Sequence, residues 1–390
     1  MKRFFIFSVL FAVAAAALAL ARLTPFFADF YRLWIFPVWL NTYGRLTGLS
    51  GMSVGEIMIN TAAGIVGLFV LLLVLGLLIL LIGRKKGVLK LGIKAGRLVL
   101  DLAVIVFLFE VLNCFVLYST HTIYSGSEYE SFKGNNGHIL ALREMLVKRA
   151  NDLSLTFERD ENGDLIYKGD MGEVAAKSMS TLGEAAAYRF KMGNGTALDN
   201  DLRLLAGFYS KPKPFWKSDF FSQQNIAGYY FPFSLEANYN DLMYISNTPS
   251  TMCHELAHLK GFIREDEANF LSYLACIGSG DSFFEYSGIL MALSHVNQYV
   301  LPLLDADGEL YDKITKKNDL VVHDCIFLTS DAWEQVEKDA LIDTKTVAKV
   351  SDDFINTNLT MNGVEDGDAS YSRVVDLLLK YYYFGEEETW

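Results

Sequence analysis

Six histidines occur in this chain of 390 residues, and two of them stand four apart in Thr251-Met-Cys-His254-Glu255-Leu-Ala-His258-Leu-Lys-Gly261. On a helix, residues four apart share a face one turn from each other, so His254 and His258 can aim ring nitrogens at one ion. Glu255 is rotated by about 100° from His254, where a carboxylate can hold a water on that ion without becoming a ligand. This is the arrangement a zinc hydrolase needs. The flanking residues supply the helix: Pro249 and Ser250 start it, Met252-Cys253 and Leu256-Ala257 give it a face to bury, and Gly261 stops it.

A catalytic zinc usually has three protein ligands and one open position. After the turn at Gly261, a second helix starting near Glu265 brings Glu265, Asp266 and Glu267 back toward the histidines. Glu265 is the expected third ligand and Glu267 the second choice. Glu265-x-x-x-Asn269 resembles the E-x-x-x-D pattern of Glu-ligated zinc peptidases, whose later residue accepts a hydrogen bond from the first histidine. Asn269 stands where that pattern has Asp, which keeps the acceptor and removes its charge. Two imidazoles and a carboxylate suit zinc, so one Zn2+ per chain is the expected cofactor.

Two further elements fit a peptide or protein substrate. Ala227–Phe233 reads as an aromatic strand that Pro232 confines to a sheet edge. Gly228, Tyr229, Tyr230 and Phe231 then form a shelf on which an extended peptide can add as a strand. The reaction also needs a donor aimed at the developing oxyanion, and His295 is one candidate.

The elements that must position these residues fall into two regimes. Hydrophobic residues make up 52% of the chain and charged ones 21%, with a mean hydropathy of +0.23, which is too apolar for a wholly soluble domain. Stretches at about 4–23, 57–83 and 98–118 are each long enough to span a bilayer. The first could instead be a signal peptide, since Lys2 and Arg3 precede it and Ala19-Leu20-Ala21 offers a cleavage site; retention as a span is the preferred reading. Residues 24–56 carry eight aromatic side chains and read as an interfacial or re-entrant segment. The linker 84–97 holds six basic residues and no acid, which places it in the cytoplasm together with the N-terminus and everything after the third span outside. Asp101 can pair with Arg97 one turn earlier.

Residues 1–119 contain 11 Lys/Arg against four acids, a charge of +7, so the net −12 leaves −19 on the remainder. So acidic a region excludes nucleic acid as a partner; membrane lipid is the partner of the first part. Helical periodicity recurs at 140–153, 172–189, 251–260, 265–277, 283–300, 332–340 and 372–383. The expected fold is therefore an α-helical membrane anchor of three transmembrane helices over residues 1–119, followed over 120–390 by a mainly helical α+β extracytoplasmic domain with a small sheet. Four scattered cysteines make no disulfide framework, although a Cys253–Cys276 bridge is possible in an oxidising compartment.

Four motifs together resemble an uncharacterised bacterial membrane family, domain of unknown function 3810. They are Arg45-Leu-Thr-Gly-Leu with Ser53-Val-Gly-Glu56, Gly228-Tyr-Tyr-Phe-Pro-Phe with Glu236-Ala-Asn238, the His254 to Asn269 stretch, and Tyr371-Ser-Arg373-Val-Val-Asp376. The resemblance covers nearly the whole chain and implies three amino-terminal spans with a zincin-like outer domain. It also adds Tyr371 and Arg373 to His295 as candidate catalytic donors. The expected function is a membrane-anchored zinc metallopeptidase in which Glu255 is the general base. The alternative is a catalytically silent metal-binding sensor or scaffold, and a purely structural membrane protein would bind no metal at all.

Overall fold

The computed structural model describes residues 2–81, 87–306, 312–340, 342–361 and 370–384. The chain divides into two compact units, one of Met1–Thr120 with Phe231–Glu236 and the other of His121–Tyr230 with Ala237–Trp390.

The first unit is built on three long helices, α1 (Lys2–Leu23), α2 (Val54–Leu81) and α3 (Gly87–Glu110). Each contributes to an apolar stretch long enough to cross a membrane: Arg3–Leu23, Val54–Ile79 and Lys90–Ser119. Leu71, Leu77 and Leu78 of α2 are half exposed, as side chains facing lipid would be. α3 packs against both α1 and α2, and the Phe11 and Phe107 rings stack 5.5 Å apart. Asp101 forms its ion pair with Arg3 of α1 rather than with Arg97, because the packing of α1 on α3 brings the two charges together. Arg84, Lys85 and Lys86 of the basic linker lie outside the described residues.

The aromatic segment is ordered as helix. Pro25–Phe30 is capped by Thr24, whose hydroxyl accepts from Phe27 N, and the run continues through π turns at Tyr31–Ile35 and Leu40–Gly44 to Arg45–Gly48. Between these turns stands Pro37, which has no N–H to donate to the preceding turn.

The second unit is mainly helical. Its principal helices are α4 (Asn136–Ser154), α5 (Met171–Lys191), α6 (Thr248–Leu259), α7 (Glu265–Ile277), α8 (Ser282–Ala306), α9 (Ser330–Asp339), α10 (Thr344–Met361) and α11 (Ser370–Tyr383). α7 lies at the centre, packed by α5, α6, α8 and α11, and every residue from Asp266 to Cys276 is buried. Phe270 and Tyr273 fill that centre, and the Tyr273 and Tyr382 hydroxyls bond at 2.6 Å. α6 begins three residues before the expected Thr251, since Pro249 is tolerated in a first turn that has no donors to lose.

A three-stranded sheet runs in the order β1 (Lys213–Pro214), β3 (Glu236–Tyr239), β2 (Gly228–Phe231). β1 is parallel to β3, with Lys213 opposite Asn238 and Pro214 opposite Tyr239. β2 is thus an edge strand, and Pro232 falls just past its end. Elsewhere Asp324 is fully buried, held by Arg159 through two bonds of 2.9 and 2.7 Å and by Tyr286 Oη at 2.8 Å. All four cysteines are free thiols, so Cys253 and Cys276 are not bridged.

Candidate metal centre

α6 carries His254 and His258 on one face, and the chain then reverses through Gly261 at φ +87°. Phe262 N donates to Ala257 O at 3.2 Å and Gly261 N to His258 O at 2.9 Å, the bonds of a helix ended by a left-handed glycine. The reversal returns the first turn of α7 to the histidines. Ligand atoms of His254, His258 and Glu265 all lie within 4.8 Å of one another. Glu265 Oε2 is 3.1 Å from His254 Nε2, and Oε1 is 3.6 Å from His258 Nε2.

The opposite nitrogens are held from behind. His254 Nδ1 lies 2.8 Å from Asn269 Oδ1, and His258 Nδ1 lies 2.7 Å from the Phe262 carbonyl. Both partners are acceptors, so each Nδ1 donates and each Nε2 is turned toward Glu265. An ion with bonds of about 2.1 Å to tetrahedral ligands holds them roughly 3.4 Å apart, close to the separations seen here. Two imidazoles and one carboxylate are a donor set that suits zinc.

The three acids that begin α7 point three ways. Glu267, the second choice, is buried and accepts from Ile123 N at 2.9 Å and Arg264 Nη1 at 3.4 Å, and it is not in the group that converges with the histidines. Asp266 is buried with Oδ2 3.3 Å from Arg373 Nε. Its carboxyl is pushed up to about 6, first by burial and then by Glu267, against the two arginines. Glu265 alone faces the imidazoles. Burial opposes charge on both His258 and Glu265, yet their attraction prevails: His258 is raised above its ordinary value and Glu265 falls well below the usual carboxylate range.

Glu255 is buried beside this cluster, and its Oε2 has no hydrogen-bond partner among the described residues. Burial pushes it up to about 7, opposed by the imidazoles and aided by Glu265. The β2 edge lies against it. A Cβ on Gly228 would come within 2.5 Å of Glu255 Oε1 and 2.8 Å of the Thr251 methyl, so only glycine fits this close approach. The pleat turns Tyr230 to the same side, with its ring centroid 6.3 Å from that of His258. Tyr229, on the other side, is 39% exposed. Phe231 departs from the expected shelf, because it is buried in the first unit.

His295, on α8, is buried, and burial first and the neighbouring His254 second pull it down to about 4, which favours the neutral imidazole. Arg373 on α11 is engaged with Asp266, the neighbour of the third candidate ligand. Tyr371 lies on α11 with its side chain outside the described residues. One member of the site had no sequence signal: the Phe262 carbonyl that orients His258 is a backbone group, placed by the turn.

A family model described as protein of unknown function (DUF3810) matches residues 31–379. The chain belongs to this family. The match spans the helices of the first unit from the aromatic segment onward and, in the second, the metal-centre helices and most of α11. No curated protein and no solved structure matches the chain.

Proposed function

We propose that this DUF3810 protein is a membrane-anchored, zinc-dependent metallopeptidase with its catalytic unit outside the cytoplasm. The observation that carries the reading is the convergence of His254, His258 and Glu265, both imidazoles pre-oriented, beside a buried carboxylate that lacks a partner. Zinc bound there would act as a Lewis acid, activating water and polarising a peptide carbonyl.

The chain's own groups do the rest. Glu255, with a proton affinity near neutrality, takes a proton from the attacking water and gives it to the leaving amine. Asn269 and the Phe262 carbonyl hold the two rings in register. Gly228 lets β2 lie directly against the Glu255 carboxylate, and an extended peptide can pair through its backbone along the outer edge of that strand. His295, favoured as the neutral imidazole and neighbouring His254, is the candidate donor to the oxyanion.

The reading is tested by incubating the zinc-loaded protein with a mixed peptide library and reading cleavage by mass spectrometry. The wild type is expected to cleave and Glu255→Gln to leave the library intact while retaining its zinc; equal cleavage by both would overturn the mechanism. A second reading, a metal-binding sensor without hydrolysis, draws on Asn269, whose neutral amide makes His254 a less basic ligand than a carboxylate would.

A further inference from the structure

Glu265 reaches the imidazoles from the first turn of α7, and that turn begins without the usual cap. Ser, Thr, Asp or Asn commonly secures the first amides of a helix, whereas the residue here is Arg264, which makes no side-chain capping bond. Two acids of the turn are held from outside it instead. Glu267 accepts from Ile123 N at 2.9 Å. Asp266 is only 5% exposed, its Oδ2 lies 3.3 Å from Arg373 Nε, and its Oδ1 has no hydrogen-bond partner among the described residues. Arg373 attracts this carboxylate more strongly than Arg264, the other cation near it. A carboxylate withdrawn from water is costly without its cation, so the place of Arg373 constrains the place of Asp266.

Arg373 is itself held in place, because α11 packs along α7. Val374, Val375, Leu377, Leu378 and Leu379 are buried, and the Tyr381 ring lies 6.1 Å from that of Phe270. The Tyr382 and Tyr273 hydroxyls bond at 2.6 Å. Going from the Arg373–Asp266 pair to the Tyr382–Tyr273 pair advances about 10 Å along α7 and about 13 Å along α11, at 1.5 Å per residue. The two helices therefore run side by side in the same direction, and α11 grips α7 at its first turn and again two turns later.

We propose that Arg373 is a positioning residue of the metal centre: its ion pair with Asp266 fixes the first turn of α7, and with it the Glu265 carboxylate, against the two imidazoles. Consecutive residues of a helix are turned by about 100°, so Asp266 and its arginine occupy a different side of α7 from Glu265. That placement suits Arg373 to holding the turn rather than to donating to a developing oxyanion. The proposal deepens the hydrolase reading and rests on it for its purpose, but not for its test.

The test uses the full-length chain in detergent, comparing wild type with Arg373→Ala, Asp266→Asn, Arg373→Lys and, as a control at the far end of the same helix pair, Tyr382→Phe. The affinity for cobalt(II) is expected to weaken about tenfold in Arg373→Ala and Asp266→Asn, with a shift in the visible spectrum of the bound ion. Both are expected to recover in Arg373→Lys, since lysine restores the charge and a single nitrogen makes the contact. Tyr382→Phe is expected to lower thermal stability while leaving affinity and spectrum as in the wild type. Unchanged affinity and spectrum in Arg373→Ala and Asp266→Asn would overturn the proposal, as would an equal change in Tyr382→Phe. If Arg373→Ala does not fold, Asp266→Asn is read by the same criteria. A wild type that binds no cobalt would count against the hydrolase reading, and the ring-nitrogen chemical shifts of His254 and His258 in the metal-free protein, which report the facing carboxylate, would then decide the positioning. They are expected to move in Arg373→Ala and Asp266→Asn and to stay in Tyr382→Phe; shifts unmoved in the first two would overturn it.

Discussion

At the scale of single residues, the centre is organised by what stands behind each histidine. Asn269 fixes the first ring with a neutral acceptor and the Phe262 carbonyl fixes the second. Replacing Asn269 with Ala is expected to weaken zinc binding about 10- to 100-fold, and Asn269→Asp to tighten it, as titration with a competing chelator would show. Glu255 can be separated from binding. Glu255→Gln is expected to lower any peptidase turnover by about 10²- to 10⁴-fold at unchanged zinc content, the usual worth of a general base. The sign of the pH dependence follows from His258. In the metal-free site the facing Glu265 carboxylate, outweighing burial, raises His258 above its ordinary value, so around neutrality a proton occupies the nitrogen that zinc must take. Zinc uptake should then release a proton, and apparent affinity should fall about tenfold for each unit that the pH drops through neutrality. Isothermal titration in two buffers of different ionisation heat reads both effects, and pH-independent affinity would contradict the assignment.

At the scale of elements, the site depends on a helix, a glycine reversal, a second helix and an edge strand. Gly228 joins the strand to the helix, since a methyl group there would meet Glu255 and Thr251. Gly228→Ala is expected to cost about 1–3 kcal/mol of stability in thermal unfolding and to disturb metal-dependent activity as well. The Asp324 network contains none of the candidate ligands. Arg159→Ala leaves a fully buried carboxylate without its cation, and a loss of about 3–5 kcal/mol is expected at unchanged zinc content. These elements were legible in the sequence to different degrees. His254, His258 and the Gly261 stop could be read from spacing, and Pro232 marked the edge strand, because helical period and proline chemistry are local. The choice among Glu265, Asp266 and Glu267 was not local. Ile123 and Arg264 bond Glu267 and Arg373 pairs with Asp266, partners brought in by chain folding, and Glu265 is the acid left beside the imidazoles. α10 escaped notice because its apolar residues are interspersed with Thr, Asn and Asp, which favour helix weakly. The aromatic segment was legible in composition but not in form: its rings suit an interface, whereas its π turns come from backbone register around Pro37.

At the scale of the whole molecule, the charge is divided, with a surplus of bases in residues 1–119 and −19 on the rest. Three helices long and apolar enough to span a bilayer account for the first part. The hairpin tip, distant in sequence, belongs with them, a membership that no local pattern announced. The central claim is that the second unit is a metal centre built for hydrolysis, and its most direct test is stoichiometry. Full-length protein, purified in detergent without chelator and supplied with zinc, would be measured by elemental mass spectrometry beside His254→Ala and Glu265→Ala. One zinc per chain in the wild type, lost in both variants, is the expected result; a wild type that holds no zinc would contradict the claim.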